Sequence, residues 1–288
     1  MAGLATSLGS GAMTNAISEL GGASAILAIG TNTTATHPIV ALQVKDAVRN
    51  GSKLIVANPK EIELCQFADI FLQHKPGTDI PLLMGMMRVI LEEELHDKSF
   101  IESRCEDFDA FEKSLAEFDL DTVERTTGVP RDKIIKAARI YATQTPASII
   151  YCMGITQHVH GTDNVLATSN LALLTGNIGK PSSGVNPLRG QNNVQGACDV
   201  GCLPNVYPGY QAVTSPEAKA KFESTWGVEL SDKPGLTHTE IFDACHGGSI
   251  SALYLVGENP VLSEANATHA IESMEKVDFM VVQDIFMT

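Results

Sequence analysis

The chain has 288 residues, 44% of them hydrophobic, and a formal net charge of −14 from 34 acidic and 20 basic side chains. This length is typical of about two domains, and the acidic balance argues against nucleic-acid binding through a basic surface. The sequence has no apolar run of about 18 residues, and its start, MAGLATSLGSGAM, lacks the basic and apolar regions of a signal peptide, so we expect no membrane span and a cytoplasmic location.

The first half of the chain alternates short apolar runs with helical patterns. Runs at 23–30, 53–57 and 68–73 each end at glycine or at a proline-containing turn, which is typical of buried parallel strands. A helix is predicted between the first two runs, at 37–49, with Pro38 in its first turn. This strand–helix–strand order predicts an α/β fold with a parallel sheet.

Further elements follow in both halves. Helices are predicted at 80–95, 107–118, 132–143 and 163–174, with a strand at 148–153. A second unit from about residue 210 is predicted to contain helices near 216–225, 239–246 and 266–275 and strands at 251–256 and 279–282. In the helix predicted at 80–95, the methionines Met84, Met86 and Met87 are predicted to be core residues.

The segment 176–199, GNIGKPSSGVNPLRGQNNVQGACD, is the most distinctive part of the chain. Arg189 is followed by Gly190 and then by four side-chain amides, Gln191, Asn192, Asn193 and Gln195. We interpret it as a long loop that surrounds a ligand with hydrogen-bond donors and acceptors. A fixed guanidinium suits an anion, held through two parallel hydrogen bonds. The alternative is an Ω-loop whose amides cap its own backbone.

Glycines, amides and carboxylates follow the predicted strands, where open parallel sheets bind ligands. Glycine lets the backbone approach a phosphate closely, and a carboxylate suits a ribose or the N–H edge of guanine. Singly each segment is a turn; jointly they predict a large nucleotide-like ligand. These strand-end residues are Gly30–Asn32, Asn58–Lys60, Lys75–Asp79, Met153–Gln157, Gly257–Pro260 and Gln283–Asp284.

Common signatures are missing from the sequence. There is no P-loop, and Gly9-Ser10-Gly11 lacks the third glycine and the preceding strand of a dinucleotide fingerprint. His158 and His160 form an H-x-H pair that we assign to a solvent-facing or loop-packing role, since no third metal ligand follows at suitable spacing. His37 is predicted to help start the helix at Pro38. The six cysteines show no C-x-x-C pair and are predicted to be reduced thiols.

Seven segments together carry a family resemblance. They are GLATSLGSGAMTNAI, GTNTTATHP, KPGTDI, MGITQ, LTGNIGKP, NPLRGQNNVQGACD and VVQDIFMT. In this order, and over essentially the whole chain, they resemble the catalytic (alpha) subunit of molybdenum- or tungsten-dependent formate dehydrogenase, in the molybdopterin oxidoreductase (DMSO reductase) superfamily. MGITQ and LTGNIGKP recur across that superfamily, whereas NPLRGQNNVQGACD is more particular to its formate dehydrogenase branch.

The resemblance implies two Rossmann-like units with parallel sheets. Residues 1–190 would form a molybdopterin-dinucleotide-binding domain, and 191–288 a second, incomplete α/β domain. The chain then corresponds to a central fragment, with Met1 an added or alternative start. In the family, a segment with four cysteines for a [4Fe–4S] cluster and a metal-ligating cysteine or selenocysteine lie before the position of Ala2, and a cap domain follows the position of Thr288.

The resemblance also assigns site residues. Arg189 matches the active-site arginine that orients formate, and no residue of this chain is assigned as a metal ligand. Asn58 and Lys60 stand where many members have Asp and Arg, and Asn259 where some have Asp, which puts the guanosine contacts there in doubt. The contacts implied for a bis-molybdopterin guanine dinucleotide with molybdenum or tungsten are Asn32, Asn58, Lys60, Gly77, Asp79, Met153, Gly154, Gln157, Gln191, Glu258, Gln283 and Asp284.

The implied reaction is the two-electron oxidation of formate to CO2, or its reverse. Electrons would leave through the pterin and the iron–sulfur cluster to iron–sulfur, flavin or hydrogenase-type subunits, and the fragment alone is expected to be inactive. A competing interpretation is a non-catalytic electron-transfer or scaffold subunit of a respiratory complex that shares the fold. Arg189-Gly190-Gln191 and MGITQ favour the enzyme lineage.

Overall fold

The computed structural model describes residues 2–288 and divides into two compact units. One unit ends at Asn192 and the other runs from Asn193 to Thr288. Among residues 2–288, no helix combines the length and the apolar character that a membrane crossing requires. We describe each unit by itself.

The first unit is built on a parallel sheet of five strands in the order β3-β2-β1-β4-β5. Every residue of β1 and of β4 is buried, as continuous apolar runs in the middle of a parallel sheet require. Ile29 pairs in register with Ala57 and with Tyr151, so the three neighbouring strands end level. The strands are β1 (Ala25–Ile29), β2 (Lys53–Ala57), β3 (Ile70–Leu72), β4 (Ala147–Tyr151) and β5 (Gly184–Pro187).

Helices cover both faces of this sheet, which confirms the α/β prediction. Successive residues of β1 point to opposite faces: Leu27 belongs to one buried apolar cluster and Ile26 to the other. The predicted core methionines contribute to the first cluster. The helices are α1 (Ala2–Leu8), α2 (Thr33–Thr36), α3 (Pro38–Arg49), α4 (Asp79–Glu92), α5 (Lys98–Arg104), α6 (Phe108–Ser114), α7 (Leu120–Thr127), α8 (Arg131–Thr143), α9 (Met153–Thr156) and α10 (Gly161–Leu174).

Two predictions about this unit were wrong. The segment 176–199 is not one long loop, because β5 lies inside it and pairs with β4, with Val185 fully buried. A four-residue strand that contains glycine and ends at proline carries little strand signal, although proline is tolerated on an edge strand. The helix predicted at 107–118 is shorter: α6 ends at Ser114 and a 3₁₀ turn, Leu115–Glu117, follows it.

The second unit contains a parallel strand pair whose residues are half-buried or exposed. β8 and β9 pair in register, Val256 opposite Gln283. The short strands β6 and β7 form an antiparallel pair. The elements are α11 (Val194–Asp199), β6 (Val206–Tyr207), β7 (Gln211–Ala212), α12 (Pro216–Trp226), α13 (His238–His246), β8 (Ala252–Val256), α14 (Pro260–Ser263), α15 (Ala267–Met274) and β9 (Phe279–Gln283).

Candidate functional site

The carboxyl ends of β1, β2 and β4 form the candidate site of the first unit. From β1 the chain builds β2 and β3 on one side and then adds β4 and β5 on the other. In open α/β sheets, ligands bind outside the strand ends at such a reversal of strand order. The strand-end turns selected from the sequence therefore meet at the position where this fold class binds ligands.

A cavity of about 280 Å³ lies at this edge. Five residues predicted from the sequence line it: Asn32, Asn58, Gly77, Asp79 and Gly154. The rest of its lining is Gly30, Thr31, Pro59, Pro76 and His158. A larger cavity, of about 570 Å³, is lined largely by residues of α5, α6 and α10, away from the strand ends. Its lining contains no predicted site residue, so we place the site at the smaller cavity.

Gly30 and Gly154 bring the turns after β1 and β4 into direct contact. The Gly154 N–H donates to the Gly30 carbonyl at 3.0 Å. A Cβ added to Gly154 would lie 2.6 Å from that carbonyl oxygen, and Gly30 has a φ of +58°. Glycine is therefore required on both sides of the contact. The result is a cavity wall made of closely packed backbone.

Asp79 is buried at the first position of α4, with 2% of its surface exposed. Its Oδ1 lies 3.0 Å from Nε2 of the buried His74, and its Oδ2 lies 3.9 Å from Nε2 of His158. A buried carboxylate needs such partners, and a helix start favours negative charge. His158 also bonds the Gly154 carbonyl at 2.7 Å, in keeping with its predicted loop-packing role. His74 was missed from the sequence, although it directly precedes the Lys75-Pro76-Gly77 turn.

Asn58 links the turn after β2 to the turn after β1. Its Oδ1 accepts a bond from the Lys60 N–H at 2.9 Å, and its Nδ2 donates to the Thr31 carbonyl at 3.3 Å. The Asn32 amide oxygen accepts a bond from the Thr34 hydroxyl at 3.2 Å. Thr31 lines the cavity, and its buried hydroxyl has no hydrogen-bond partner among residues 2–288. This hydroxyl is a polar group that a bound ligand would satisfy.

Arg189 follows β5 and is half-buried. Its Nη2 donates to the Gly11 carbonyl at 3.0 Å, and its own carbonyl lies 2.6 Å from His37 Nε2. His37 is the N-cap residue of α3, and its carbonyl accepts the Ala41 N–H at 2.9 Å, so it helps to start the helix as predicted. Its imidazole makes no capping bond and contacts the Arg189 backbone instead. Burial raises the pKa of the Tyr151 phenol, an effect that the Arg189 charge opposes.

Arg189 and the remaining predicted residues of the first unit lie outside the cavity lining. Lys60, Gln157 and Gln191 are exposed, and Met153 is 43% exposed. The Gln157 N–H donates to the Met153 carbonyl at 2.8 Å, which closes the short helix α9. These four residues stay predictions as ligand contacts.

The second unit brings together its three predicted residues. Glu258 follows β8, while Gln283 ends β9 and precedes Asp284, and the Gly257 N–H donates to the Gln283 carbonyl at 2.9 Å. The Tyr254 hydroxyl bonds the Gln283 side chain, and the Ser263 hydroxyl bonds that of Glu258. The Asp284 carboxylate accepts the Phe286 N–H at 3.2 Å, an Asx-type turn, and also the Ile285 N–H at 2.6 Å. The three predicted residues thus lie at the carboxyl ends of β8 and β9.

Comparisons with known proteins assign the family. The family model described as molybdopterin oxidoreductase matches residues 3–288. F420-dependent formate dehydrogenase subunit alpha from Methanocaldococcus jannaschii is 46% identical over 286 residues, which are 99% of this chain and 42% of that protein. Formate dehydrogenase H from Escherichia coli is 44% identical over 289 residues, 100% of this chain and 40% of that protein.

A solved structure supports the same fold. Acetylene hydratase from Pelobacter acetylenicus superposes with a TM-score of 0.77 at 23% identity, over 100% of this chain and 41% of that one. A parallel sheet with a cavity at its strand ends is the arrangement in which open α/β proteins bind their ligands. This chain belongs to the molybdopterin oxidoreductase family. It spans about 40% of the length of the two formate dehydrogenases.

Proposed function

We propose that this chain is the central part of a molybdenum- or tungsten-dependent formate dehydrogenase that binds a pyranopterin guanine dinucleotide. The single observation that carries the proposal is the strand-end cavity of the first unit. It combines a backbone wall at Gly30 and Gly154 with a Thr31 hydroxyl that has no hydrogen-bond partner in the described part of the chain, 2–288. The identities of 46% and 44% to proteins named formate dehydrogenases support formate as the substrate.

The residues at this edge suit a neutral or anionic heterocyclic ligand. Asn32 and Asn58 offer amides, and the fixed Asp79 carboxylate accepts hydrogen bonds from N–H groups such as those of guanine or pterin. Turns rich in glycine let the backbone approach a phosphate. In the second unit, Glu258, Gln283 and Asp284 supply further acceptors at strand ends. When bound, the cofactor supplies the two-electron redox chemistry, while these residues orient it.

We assign binding of the formate carboxylate to Arg189. It stands at the end of β5, and its bond to the Gly11 carbonyl fixes the direction of the guanidinium. A planar guanidinium binds a carboxylate through charge-assisted hydrogen bonds that an ammonium cannot reproduce. Its role is to hold and orient formate for oxidation to CO2.

Partner subunits are part of the proposal. The Methanocaldococcus jannaschii relative is named a subunit alpha, so we expect the full-length protein to pass electrons to other subunits. A [4Fe–4S] cluster in a segment outside these residues and a cytoplasmic location complete the hypothesis. The first unit would be the dinucleotide-binding domain, and the second a further α/β domain.

The test is formate-dependent reduction of a viologen dye by the full-length parent protein, purified without air. We expect turnover with formate, proportional to the molybdenum or tungsten content. The control is the same assay without formate, in which the dye should stay oxidised. A metal-loaded protein that does not oxidise formate would contradict the proposed activity. A full-length protein without molybdenum or tungsten would favour the electron-transfer or scaffold interpretation.

A further inference from the structure

Two neighbouring helices of the second unit carry four side chains of the types that bind metal ions. Helix α13 carries Asp243 and His246, and α15 carries His269 and Glu272. Residues three apart lie on the same side of a helix. Each helix therefore presents one carboxylate and one imidazole, and contacts between His246 and His269 show that the two sides meet.

The distances fit a shared ion. One ligand atom from each of His246, His269 and Glu272 lies within 4.8 Å of the others. The two imidazole centroids are 5.0 Å apart, close to the roughly 5 Å expected for two imidazoles on one tetrahedral zinc ion. Ligand atoms on such an ion are about 3.4 Å apart, and rotation of the exposed Glu272 side chain supplies the remaining approach.

Both imidazoles show features of metal ligands. His269 Nε2 lies 2.9 Å from Asp243 Oδ1, which leaves Nδ1 as the nitrogen for an ion; a carboxylate behind the imidazole is the usual second partner of a metal-bound histidine. His246 has a buried Nδ1 with no hydrogen-bond partner within the described range 2–288. A buried nitrogen without a partner is costly, and a bound ion removes that cost.

We propose that His246, His269 and Glu272 bind a divalent transition-metal ion of the zinc class, with Asp243 orienting His269. Two imidazoles and one carboxylate suit Zn²⁺, Co²⁺ or Ni²⁺ better than Mg²⁺ or Ca²⁺, which prefer oxygen ligands. The ion would cross-link α13 to α15. None of these residues is assigned to the pterin or to formate, so the metal-site proposal can be tested independently of the proposed activity.

The experiment is a Co²⁺ titration of the purified 288-residue chain, read by the visible bands of Co²⁺ bound to protein, with Zn²⁺ displacement to follow. We expect one equivalent in the wild type that is lost in the double variant His246→Ala/His269→Ala. Both proteins keep all six cysteines, so binding to thiols cancels in the difference. His238→Ala is the matched control, because His238 is on the same helix but lies 2.8 Å from Glu264, outside the cluster.

Two milder variants keep the test decisive if the double variant misfolds. Asp243→Asn should weaken Co²⁺ binding by about 10- to 100-fold, the usual effect of losing the partner behind a histidine ligand. Glu272→Gln, at an exposed position, should weaken it by at least ~10-fold, because an amide is a poorer ligand than a carboxylate. Equal binding by the wild type and by both milder variants would overturn the proposal, as would the absence of cobalt bands in the wild type.

Discussion

Hydrogen bonds hold two charged residues of the first unit, Arg189 and Asp79. Arg189 is held from two directions, through its guanidinium by the Gly11 carbonyl and through its backbone by His37. Asp79 is held by His74 at 3.0 Å. A charged group that is fixed before the ligand arrives loses little freedom on binding, which is how preorganised sites stabilise a transition state.

The first prediction concerns Arg189 in the full-length parent. Arg189→Lys should lower formate turnover per metal atom by at least ~10-fold, or about 1.4 kcal/mol of transition-state stabilisation, because the ammonium lacks the planar fork. Protein yield and pterin content should not change. The control is Arg139→Lys, at an exposed arginine paired with Glu93, which should leave kcat and KM as they are. Normal turnover per metal atom in Arg189→Lys would remove Arg189 from the substrate site.

A second prediction tests the glycine contact in the cavity wall. Gly154→Ala places a methyl group 2.6 Å from the Gly30 carbonyl oxygen, so we expect it to reduce the free energy of unfolding by about 1–3 kcal/mol. Gly21→Ala is the control, since its added Cβ would be 3.8 Å from the nearest atom, Gln43 Oε1. Urea denaturation of both variants gives the comparison. Equal urea midpoints for Gly154→Ala and Gly21→Ala would show that the turns after β1 and β4 can move apart at little cost in stability.

At the scale of elements, β5 carries Arg189 to the edge of the sheet. Asn186 on this strand is 1% exposed. Its amide nitrogen donates to the Ser148 hydroxyl at 2.8 Å, and its amide oxygen accepts the Asn15 N–H at 3.2 Å. One side chain thus joins β5 to β4 and to the N-terminal segment. The position of Arg189 depends on these bonds as well as on the ladder between β4 and β5.

The third prediction follows from these bonds. Asn186→Ala should cost about 1–3 kcal/mol of stability, since it leaves buried polar partners unpaired. Asn50→Ala, at an exposed asparagine, should change stability by less than about 0.5 kcal/mol. Thermal melting of both variants is the measurement. A stability loss of the same size at Asn50 would mean that the β5 bonds are not specific contributors.

The sequence predicted the elements with strong periodicity and missed those held by tertiary bonds. β1, β2 and β4 are apolar runs, and the structure places them within a residue or two of the predicted bounds. β5 carries one aliphatic residue, Val185, and is a strand because Asn186 and the ladder to β4 hold it there. The pairing of His74 with Asp79 could likewise not be predicted from the sequence, because it depends on how the start of α4 packs against the turn after β3.

The α13–α15 cluster shows a second limit of sequence reasoning. Asp243 and His246 lie on one helix, and His269 and Glu272 on the next, with β8 and α14 between them. This spacing matches no common metal motif. Each pair alone is an ordinary exposed helix side. Only the packing of α13 against α15 brings the ligand atoms together.

At the scale of the whole molecule, the cavity volume and the chain length both bear on whether these residues alone can be active. The strand-end cavity is about 280 Å³, below the roughly 300–1,000 Å³ of pockets that enclose a drug-sized ligand. Under the proposed function, the first unit would therefore enclose only part of a dinucleotide cofactor. The chain also corresponds to 42% and 40% of its two formate dehydrogenase relatives.

The fourth prediction is that the purified 288-residue chain contains no stoichiometric molybdenum or tungsten and does not oxidise formate. A partial enclosure leaves much of the cofactor surface in water, which weakens binding. Elemental analysis and dye-linked formate oxidation against a buffer blank are the measurements. One molybdenum or tungsten per chain would show that these residues hold the cofactor without further segments.

The central claim, that the carboxyl edge of the first unit holds the pterin dinucleotide, is tested most directly by cofactor content. The measurement is pterin and guanine nucleotide released per chain from the full-length parent and from its Asn32→Trp variant, which fills the cavity; Asn50→Trp is the exposed control. We predict full content in the wild type and control and at least a ~10-fold loss in Asn32→Trp at unchanged melting temperature. Undiminished pterin and guanine nucleotide in Asn32→Trp would contradict the account.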